Sequence, residues 1–585
     1  MVVWTVKGFG GMMPRTASRL LPDTASEDAW NCDLAAGTLA GLPTPTLVTD
    51  LSASVADVRR AYRFPGPNPG NPDVWLGLPS EYSSVCRSPL TNDTTHRIYW
   101  TNPGQGAFWS NYARVAAGST PYNLGFTAPN PAIVPTLSAS GGTSPTSVAY
   151  IERAYVYTFI SEYGEESAPS SPTPVVAGAT DGTWIMGGLP VADPGPPGGK
   201  FYPAVTKLRI YRTVVGTSSG AQYYQVADIA LGAATYTDTV PDTTVVGNLT
   251  LVSAGWSNPP ALLDGLTALP GGMLVGFTEN TVHFCEPDRP HAWPASYDQS
   301  LQFRVVGLGV WNQSLVAVTE GFPATGTGNS PANFSFSTLQ VPEPCIARGS
   351  VITDLLGVYY ASPNGLVTLN YFGMQNQVLT TFTRAEWNET FHAANIVACR
   401  HRAQYLAING TGAGFLIDYT EARLGVSRLN TFNAAVCVWN DPYTGDAYIC
   451  AGKKIYLWDS NVAPPMVYRW RSKQFYTPKM LNLGAVRVVC TNDILSVAAS
   501  AGPLLSNNDP RMVLPDGVNA VFRLYASEDG AGPMVPVFEY ALTRVSETFR
   551  TPSGFKASVW QWEIVSRTAV HEVTIAETMK ELLSG

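Results

Sequence analysis

The stretch Gly357-Val358-Tyr359-Tyr360-Ala361-Ser362-Pro363-Asn364-Gly365-Leu366-Val367 constrains this chain more than any other. It is an apolar run, a polar turn and a second apolar run. Asn-Gly is a strong hairpin signal, because tight two-residue turns ask for positive φ at their central positions. The spelling therefore predicts two strands joined through Asn364-Gly365. Similar strand–turn–strand patterns recur at residues 268–285, 310–318, 405–418 and 436–459. A spacing of about 40–50 residues is the scale of a propeller blade. Spacing alone leaves an open stack of sheets as the alternative.

Composition agrees with an all-β chain built for assembly. Charged residues make up 14% of 585 positions, against roughly 25% in ordinary soluble domains. Gly (53) and Pro (46) supply turns, and 15 Trp and 27 Tyr supply strand-forming bulk. Low charge with many aromatics fits a surface that is buried between subunits. Net charge is −8, from 36 basic and 44 acidic residues, with no Lys/Arg block. A tight grip on nucleic acid is therefore not indicated, because phosphate neutralisation creates that grip. Cys32, Cys86, Cys285, Cys345, Cys399, Cys437, Cys450 and Cys490 form no CxxC pair. They read as buried reduced thiols, with no clustered zinc ligands. No signal-peptide pattern opens the sequence, and no apolar run is long enough to span a bilayer, so synthesis in a reducing cytoplasm without stable membrane insertion is expected.

Texture divides the chain into four parts. Residues 1–146 are expected to form an N-terminal β region contributing to the propeller body, with a short helix near residues 24–29 and an exposed Pro/Gly loop at 64–72. Residues 130–147 read as a linker. Residues 147–252 carry spaced short strands, including Leu208-Arg209-Ile210-Tyr211-Arg212, and the loop Tyr163-Gly164-Glu165-Glu166-Ser167-Ala168-Pro169. This part resembles a fibronectin type III-like (immunoglobulin-like) sandwich in size and in those segments. Residues 253–480 hold the repeats, and 481–585 form a C-terminal β region closing the body. A short helix is expected near residues 575–583. The expected fold is thus all-β: a β-propeller-like body with an inserted sandwich.

Catalytic patterns are weak. Gly216-Thr217-Ser218-Ser219-Gly220 spells G-x-S-x-G, but a nucleophile elbow needs a strand–turn–helix setting, and here another strand follows. Glu286-Pro287-Asp288-Arg289-Pro290-His291-Ala292-Trp293-Pro294 gathers acid, base, His and Trp. Acid–base work by Glu286 or Asp288 with His291 is conceivable. A Pro-braced scaffold is favoured, with Arg289 bridging carboxylates and Trp293 packed on a neighbouring blade. A glycosidase needs two converging carboxylates; Asp354, Glu386, Asp418 and Asp441 are candidates, and no spacing pairs them. No catalytic, cofactor-binding or metal-binding residue is assigned, and no cofactor is expected.

A family resemblance covers nearly the whole chain. It is carried, in order, by Gly10-Gly11-Met12-Met13-Pro14-Arg15-Thr16-Ala17-Ser18-Arg19-Leu20-Leu21-Pro22-Asp23, Ala29-Trp30-Asn31-Cys32-Asp33-Leu34 and Gly37-Thr38-Leu39. It continues through the 163–169 loop, Leu266-Thr267-Ala268-Leu269-Pro270-Gly271-Gly272, the 286–294 segment and the 360–367 hairpin. Trp470-Arg471-Ser472-Lys473-Gln474-Phe475 and Ile575-Ala576-Glu577-Thr578 complete it. In these segments the chain resembles tail-nozzle (tubular or hub) structural proteins of short-tailed bacteriophages and prophages. The resemblance implies a virion tail part rather than an enzyme. It further implies a homo-oligomeric ring, six copies being the expectation, below the portal and adaptor proteins at the head–tail connection. Such a ring would conduct DNA transiently during ejection and anchor fibres or spikes, with the 163–168 loop and the inserted sandwich as outward contacts. Arg289, His291, Trp293, Trp470 and Arg471 are then scaffold or assembly residues. The rival class is a virion-associated glycan-binding or glycan-degrading receptor-recognition protein.

Overall fold

The apolar runs become strands buried on both faces, and this decides how they stack. Ser314–Thr319 and Gly357–Ser362 are buried at every position, which requires a packing layer on each side. A computed structural model describes all residues except 1, 54–56, 69, 92, 143–149, 215–221, 355, 370–381, 411–413, 419–424, 430–434, 461–463, 492–509, 516, 519, 531 and 585. In it, seven small antiparallel sheets follow one another around a ring. Sheet 1 is Arg60–Phe64 with Val74–Leu78. Sheet 2 is Ser84–Arg87, Ile98–Asn102, Gly106–Ser110 and Tyr122–Asn123. Sheet 3 is Asp264–Leu269, Met273–Thr278, Thr281–Phe284 and Gln299–Ser300. Sheet 4 is Val305–Trp311, Ser314–Thr319, Ala324–Thr327 and Ser335–Thr338. Sheet 5 is Ile352–Asp354, Gly357–Ser362 and Gly365–Leu369. Sheet 6 is Val397–His401, Gln404–Ile408, Gly414–Asp418 and Val426–Leu429. Sheet 7 is Ala435–Asn440, Ala447–Ala451 and Lys454–Leu457, completed by Thr46–Asp50.

Consecutive sheets share apolar clusters. Tyr62 and Phe64 meet Ile98 and Trp100 between sheets 1 and 2. Trp109 meets Leu274 and Cys285 between sheets 2 and 3, and Phe284 meets Leu315 between sheets 3 and 4. Val318 meets Tyr360 and Val367 next, then Leu366 meets Tyr405 and Phe415, and Cys399 meets Cys437 and Ile449. The ring closes between sheets 7 and 1. There Trp75 stands edge-on to Tyr448 at 5.4 Å, and Arg63 Nε lies 3.4 Å from Asp441. Among the described residues no sheet curls into a closed barrel.

Several local expectations change. The 357–367 hairpin forms, but Ser362 pairs with Gly365, so Pro363 and Asn364 are the turn's centre. Neither has positive φ; Gly365 opens the second strand at φ 148°. Proline's fixed negative φ makes this turn, and the glycine relieves the strand that follows. The helix expected near 24–29 is instead the strand Ser26–Trp30. The C-terminal helix starts later than expected, at Met579, after the strand Val570–Ala576. The 130–147 linker contains the strand Thr136–Ser140, which pairs with Thr183–Gly187. Residues 481–585 do not close the ring; Thr46–Asp50 does.

Those C-terminal strands build a two-layer body with the N-terminal ones, continuous with the ring through sheet 6. One layer is Val3–Lys7, Val570–Ala576, Ala485–Cys490 and Ser546–Arg550. The other extends ring sheet 6. Ser26–Trp30 runs parallel to Val426–Leu429 and antiparallel to Tyr468–Ser472, then Ala557–Ser566, Ala520–Ser527 and Val535–Leu542 follow. Phe9, Trp470, Phe522, Trp560 and Trp562 face Val486, Phe549 and Val573 in the core between layers. Gly11 passes so close to sheet 6 that a Cβ there would overlap the backbone nitrogen of Val426.

The inserted module lies between sheets 2 and 3. Thr136–Ser140, Thr183–Gly187 and Thr235–Asp238 form one of its sheets, and Tyr155–Ser161, Val205–Thr213 and Tyr223–Ala230 form another. Tyr150–Arg153 pairs with Val176–Ala179. Tyr155, Trp184, Leu208 and Ile210 fill the space between.

Trp470 tests this packing. Its ring is fully buried, 4.8 Å from that of Trp562 and edge-on to Phe9 at 5.2 Å. Trp470→Ala is expected to cost about 3–5 kcal/mol of unfolding free energy, measured by denaturant titration. Arg471→Ala is expected to cost only ~1 kcal/mol, since it loses a hydrogen bond and a cation–π contact at a partly exposed position.

Candidate functional site

Two joints hold His291, Trp293, Trp470 and Arg471 of the residues singled out in the sequence, and a cavity lies between the sheets of the ring. The first joint docks the inserted module on sheets 2 and 3. Three prolines and a backbone bridge, in which the Arg289 amide donates to the Glu286 carbonyl at 2.9 Å, fold residues 286–294 into a tight loop. Trp293 is buried among sheet 2 and 3 residues, and its Nε1 donates to the Pro290 carbonyl at 2.8 Å. His291 is 5% exposed, and its Nε2 donates to the Glu166 carbonyl at 2.8 Å. Burial pushes its pKa below the ordinary histidine value. Arg289 is exposed and donates to the Asp288 carbonyl at 2.9 Å. Among the described residues it bridges no carboxylate, contrary to expectation, because the loop turns its side chain outward.

The 163–168 loop also differs from expectation. It faces the ring and not the outside. Glu165, 9% exposed, accepts from Arg97 Nη1 at 2.7 Å. The Arg97 guanidinium lies 5.0 Å from the Trp109 ring centre and 5.4 Å from that of Tyr163. Tyr122 Oη donates to Glu162 at 2.9 Å, and its ring stacks on Phe201 at 4.9 Å. Asn258 Oδ1 accepts from the Phe126 amide where the chain crosses between bodies. The buried Arg97–Glu165 pair carries further hydrogen bonds and ring contacts, the condition under which such pairs hold their geometry.

The second joint holds Trp470 and Arg471. Trp470 Nε1 donates to the Gly10 carbonyl at 3.0 Å. Arg471 Nε donates to Gln561 Oε1 at 2.8 Å, and its guanidinium covers the Tyr525 ring at 4.4 Å. Beside them Arg469, 1% exposed, donates to Glu563 at 2.8 Å and to Asp28 at 2.6 Å. Arg523 reaches the same Glu563 at 3.0 Å, and Arg428 of sheet 6 lies 3.6 Å from Asp28. Sequence reasoning missed Asp28, Arg469 and Glu563. Their signal, charges inside otherwise strand-like runs, was present at Tyr468-Arg469-Trp470-Arg471 and at Trp562-Glu563-Ile564, and absent at Asp28.

The cavity lies on the ring axis. It measures about 260 Å³ and takes lining residues from every sheet or its entry: Arg60, Ser84, Leu266, Gly307, Thr353, Ala398 and Val438, among others. Its lining contains one carboxylate, Glu81, which is held by Arg59 at 3.3 Å. The four carboxylates considered for sugar hydrolysis do not converge. Asp354 pairs with Arg400 at 3.0 Å, Asp441 with Arg63, and Glu386 with Arg428. Asp418 ends its strand on sheet 6, and none of the four lines the cavity. The G-x-S-x-G spelling at 216–220 lies outside the described residues. Among the described residues no group of three or more His, Cys, Asp and Glu is placed to hold a metal ion. All eight cysteines are buried and free, and burial raises their thiol pKa values, that of Cys490 to about 11. No helix among the described residues is long and apolar enough to cross a membrane.

No family model and no curated protein matches the chain. Solved structures do. A BBS1N chain from a complex with ARL6DN matches with TM-score 0.30 and 10% identity, over 72% of this chain and 99% of that one. PorZ, described as a surface component of the type-IX secretion system of Porphyromonas gingivalis, matches with TM-score 0.23 and 13% identity, over 54% and 42%. Glutaminyl cyclase of Myxococcus xanthus matches with TM-score 0.17 and 12% identity, over 43% and 84%. Scores this low establish neither a family nor an activity.

Buried histidines make acid stability a check on the ring. His401, at the end of a sheet 6 strand, stands edge-on to Trp458, and burial pushes its pKa down to about 4 from an ordinary 6.5. The unfolded chain takes up this proton near pH 6.5 and the folded chain only near pH 4. Stability is therefore full above pH 6.5 and falls as pH drops toward 4, by up to ~1.4 kcal/mol per pH unit from this group. His401→Gln should flatten that slope in urea titrations at pH 7, 6 and 5. Equal slopes in both proteins would refute a buried neutral His401.

Proposed function

We propose that the chain is a structural subunit of a bacteriophage tail, a nozzle or hub part whose copies form a ring around the DNA path. One observation carries this reading: four of the segments that resemble tail-nozzle proteins, 10–23, 163–169, 286–294 and 470–475, lie at the joints. Met12 bridges both Ser26 and Val426, at the seam between ring and terminal body. Residues 163–168 and 286–294 meet where the inserted module docks. Residues 470–475 sit in the terminal body, with Lys473 Nζ reaching the Leu21 carbonyl at 2.9 Å and Asp23 at 2.8 Å. Residues that lock bodies together are what a load-carrying part requires.

In this reading the ring of sheets is a seven-bladed β-propeller. Thr46–Asp50 is the strand that staples its last blade, which protects sheet edges from stray pairing. The inserted module is a fibronectin type III-like sandwich. Rotational symmetry closes several copies, six by the resemblance, into a ring contacting portal or adaptor proteins on one side and fibres or spikes on another. A lumen lined by a mildly acidic protein lets DNA slide, since grip comes from neutralising phosphates. Outward contacts then fall to exposed faces of the sandwich and not to the 163–168 loop.

Cryo-EM of the source particle, with the chain identified by mass spectrometry, is the decisive measurement. A symmetric ring of this chain around the tail axis is expected. Peripheral trimers, or turnover of host polysaccharide by the purified protein, would move the assignment to receptor recognition.

A further inference from the structure

The axial cavity contains a cation without a counter-ion. Arg60 begins the first strand of sheet 1 and lines the cavity. Its Nε is buried with no hydrogen-bond partner, and among the described residues its guanidinium forms no ion pair. Every other arginine near the axis is engaged. Arg348 makes a two-pronged pair with Asp264 and donates to Ser84 Oγ at 3.3 Å. Arg59 holds Glu81. Of these arginines Arg60 alone has no carboxylate within ion-pair distance among the described residues, whereas Arg59 meets the exposed Asp57 at 3.6 Å as well as Glu81.

Arg60 as a whole is half-buried, with its Nε sealed from water and unpartnered; a guanidinium so placed gives up part of its hydration and regains no hydrogen bond or counter-ion from the protein. Burial pushes the Arg60 pKa below the ordinary arginine value, and the positive Arg348 acts in the same direction. Lysine, strongly hydrated, would suit this place less well than the weakly hydrated planar guanidinium, whose fork matches two oxygens of one anion. Hydroxyl-bearing residues, Ser84, Thr267 and Thr353, share the lining and offer further donors. The space of about 260 Å³ holds an ion of phosphate size but no polymer.

We propose that the axial cavity of each subunit binds a small oxyanion, phosphate or a carboxylate, through the Arg60 guanidinium. The site is independent of the assembly reading above. It needs only the ring, and the bound ion would tie sheet 1 to its neighbours at the place where the ring closes.

Calorimetry on the full chain tests this, with chloride exchanged for phosphate or acetate at constant ionic strength in the low-millimolar range. The expected result is a saturable rise in Tm with one of these anions. Arg60→Met should abolish that rise and melt in chloride at or above the wild-type temperature, because it removes an uncompensated charge. No saturable rise with either anion in the wild type would overturn the proposal, as would an equal rise in Arg60→Met. Should Arg60→Met fail to fold, Arg60→Lys serves. It keeps the charge without the fork, and isothermal titration should show at least tenfold weaker binding; equal affinity would overturn the assignment to Arg60.

Discussion

The strand Ser26–Trp30 holds the molecule together. It pairs with sheet 6 of the ring on one side and with Tyr468–Ser472 on the other. A ring and a sandwich that could have met as separate bodies instead share one ten-stranded sheet. The two are thus joined through backbone pairing, by one parallel bridge from Trp30 to Arg428 and an antiparallel ladder to Arg469–Ser472, and not through a linker alone. The charges laid across this strand fit the same purpose. Asp28 accepts from Arg469 on one side and sits beside Arg428 on the other.

Buried ion pairs recur at each place where bodies meet or a sandwich must keep its register. Arg97–Glu165 sits under the inserted module, and Arg469–Glu563 in the terminal body. Within the module, Arg212 binds Asp238 and Asp242, while Arg153 binds Asp242 at 2.6 Å. Pairs of this kind return little net stability, because desolvation consumes the Coulomb gain. Breaking one is nevertheless expensive. They therefore serve geometry more than stability: a wrong docking angle would strand a charge in an apolar seam. That logic suits a chain with only 14% charged residues, many of which are used internally.

The ring was legible where its strands are buried on both faces, since unbroken apolar runs such as Ser314–Thr319 announce themselves. Sheets 1 and 2 were not resolved as repeats, because prolines and glycines interrupt their sequence and no regular spacing survives the long insertion after Asn123. Ser26–Trp30 reads Ser-Glu-Asp-Ala-Trp, which carries little strand propensity; its ladder partners Arg428 and Arg469–Ser472, far along the chain, make it a strand, and no local signal reports them. The 163–168 loop looked like an exposed turn for the same reason. Its acidic residues are satisfied by Arg97 and Arg209, contacts invisible to spacing. Of the five residues marked as scaffold, Trp293 and Trp470 could be read from size and context alone. His291 and Arg471 needed their acceptors, and Arg289 makes no joint. Nothing in the sequence marks Arg60, one of two adjacent arginines whose neighbour is fully occupied.

The ring's closure has a cost paid in time. Thr46–Asp50 is made early but finds its partner only when Lys454–Leu457 emerges, and Val3–Lys7 must wait for Val570–Ala576. At ordinary rates of synthesis the second wait is of order a minute. During it, strands with open edges are exposed to other nascent chains, and pairings this distant in sequence form slowly even afterwards. Production of this subunit should therefore be limited by completion of the chain and by whatever shields its early strands, so that truncated translation products would be sticky debris and not smaller working parts.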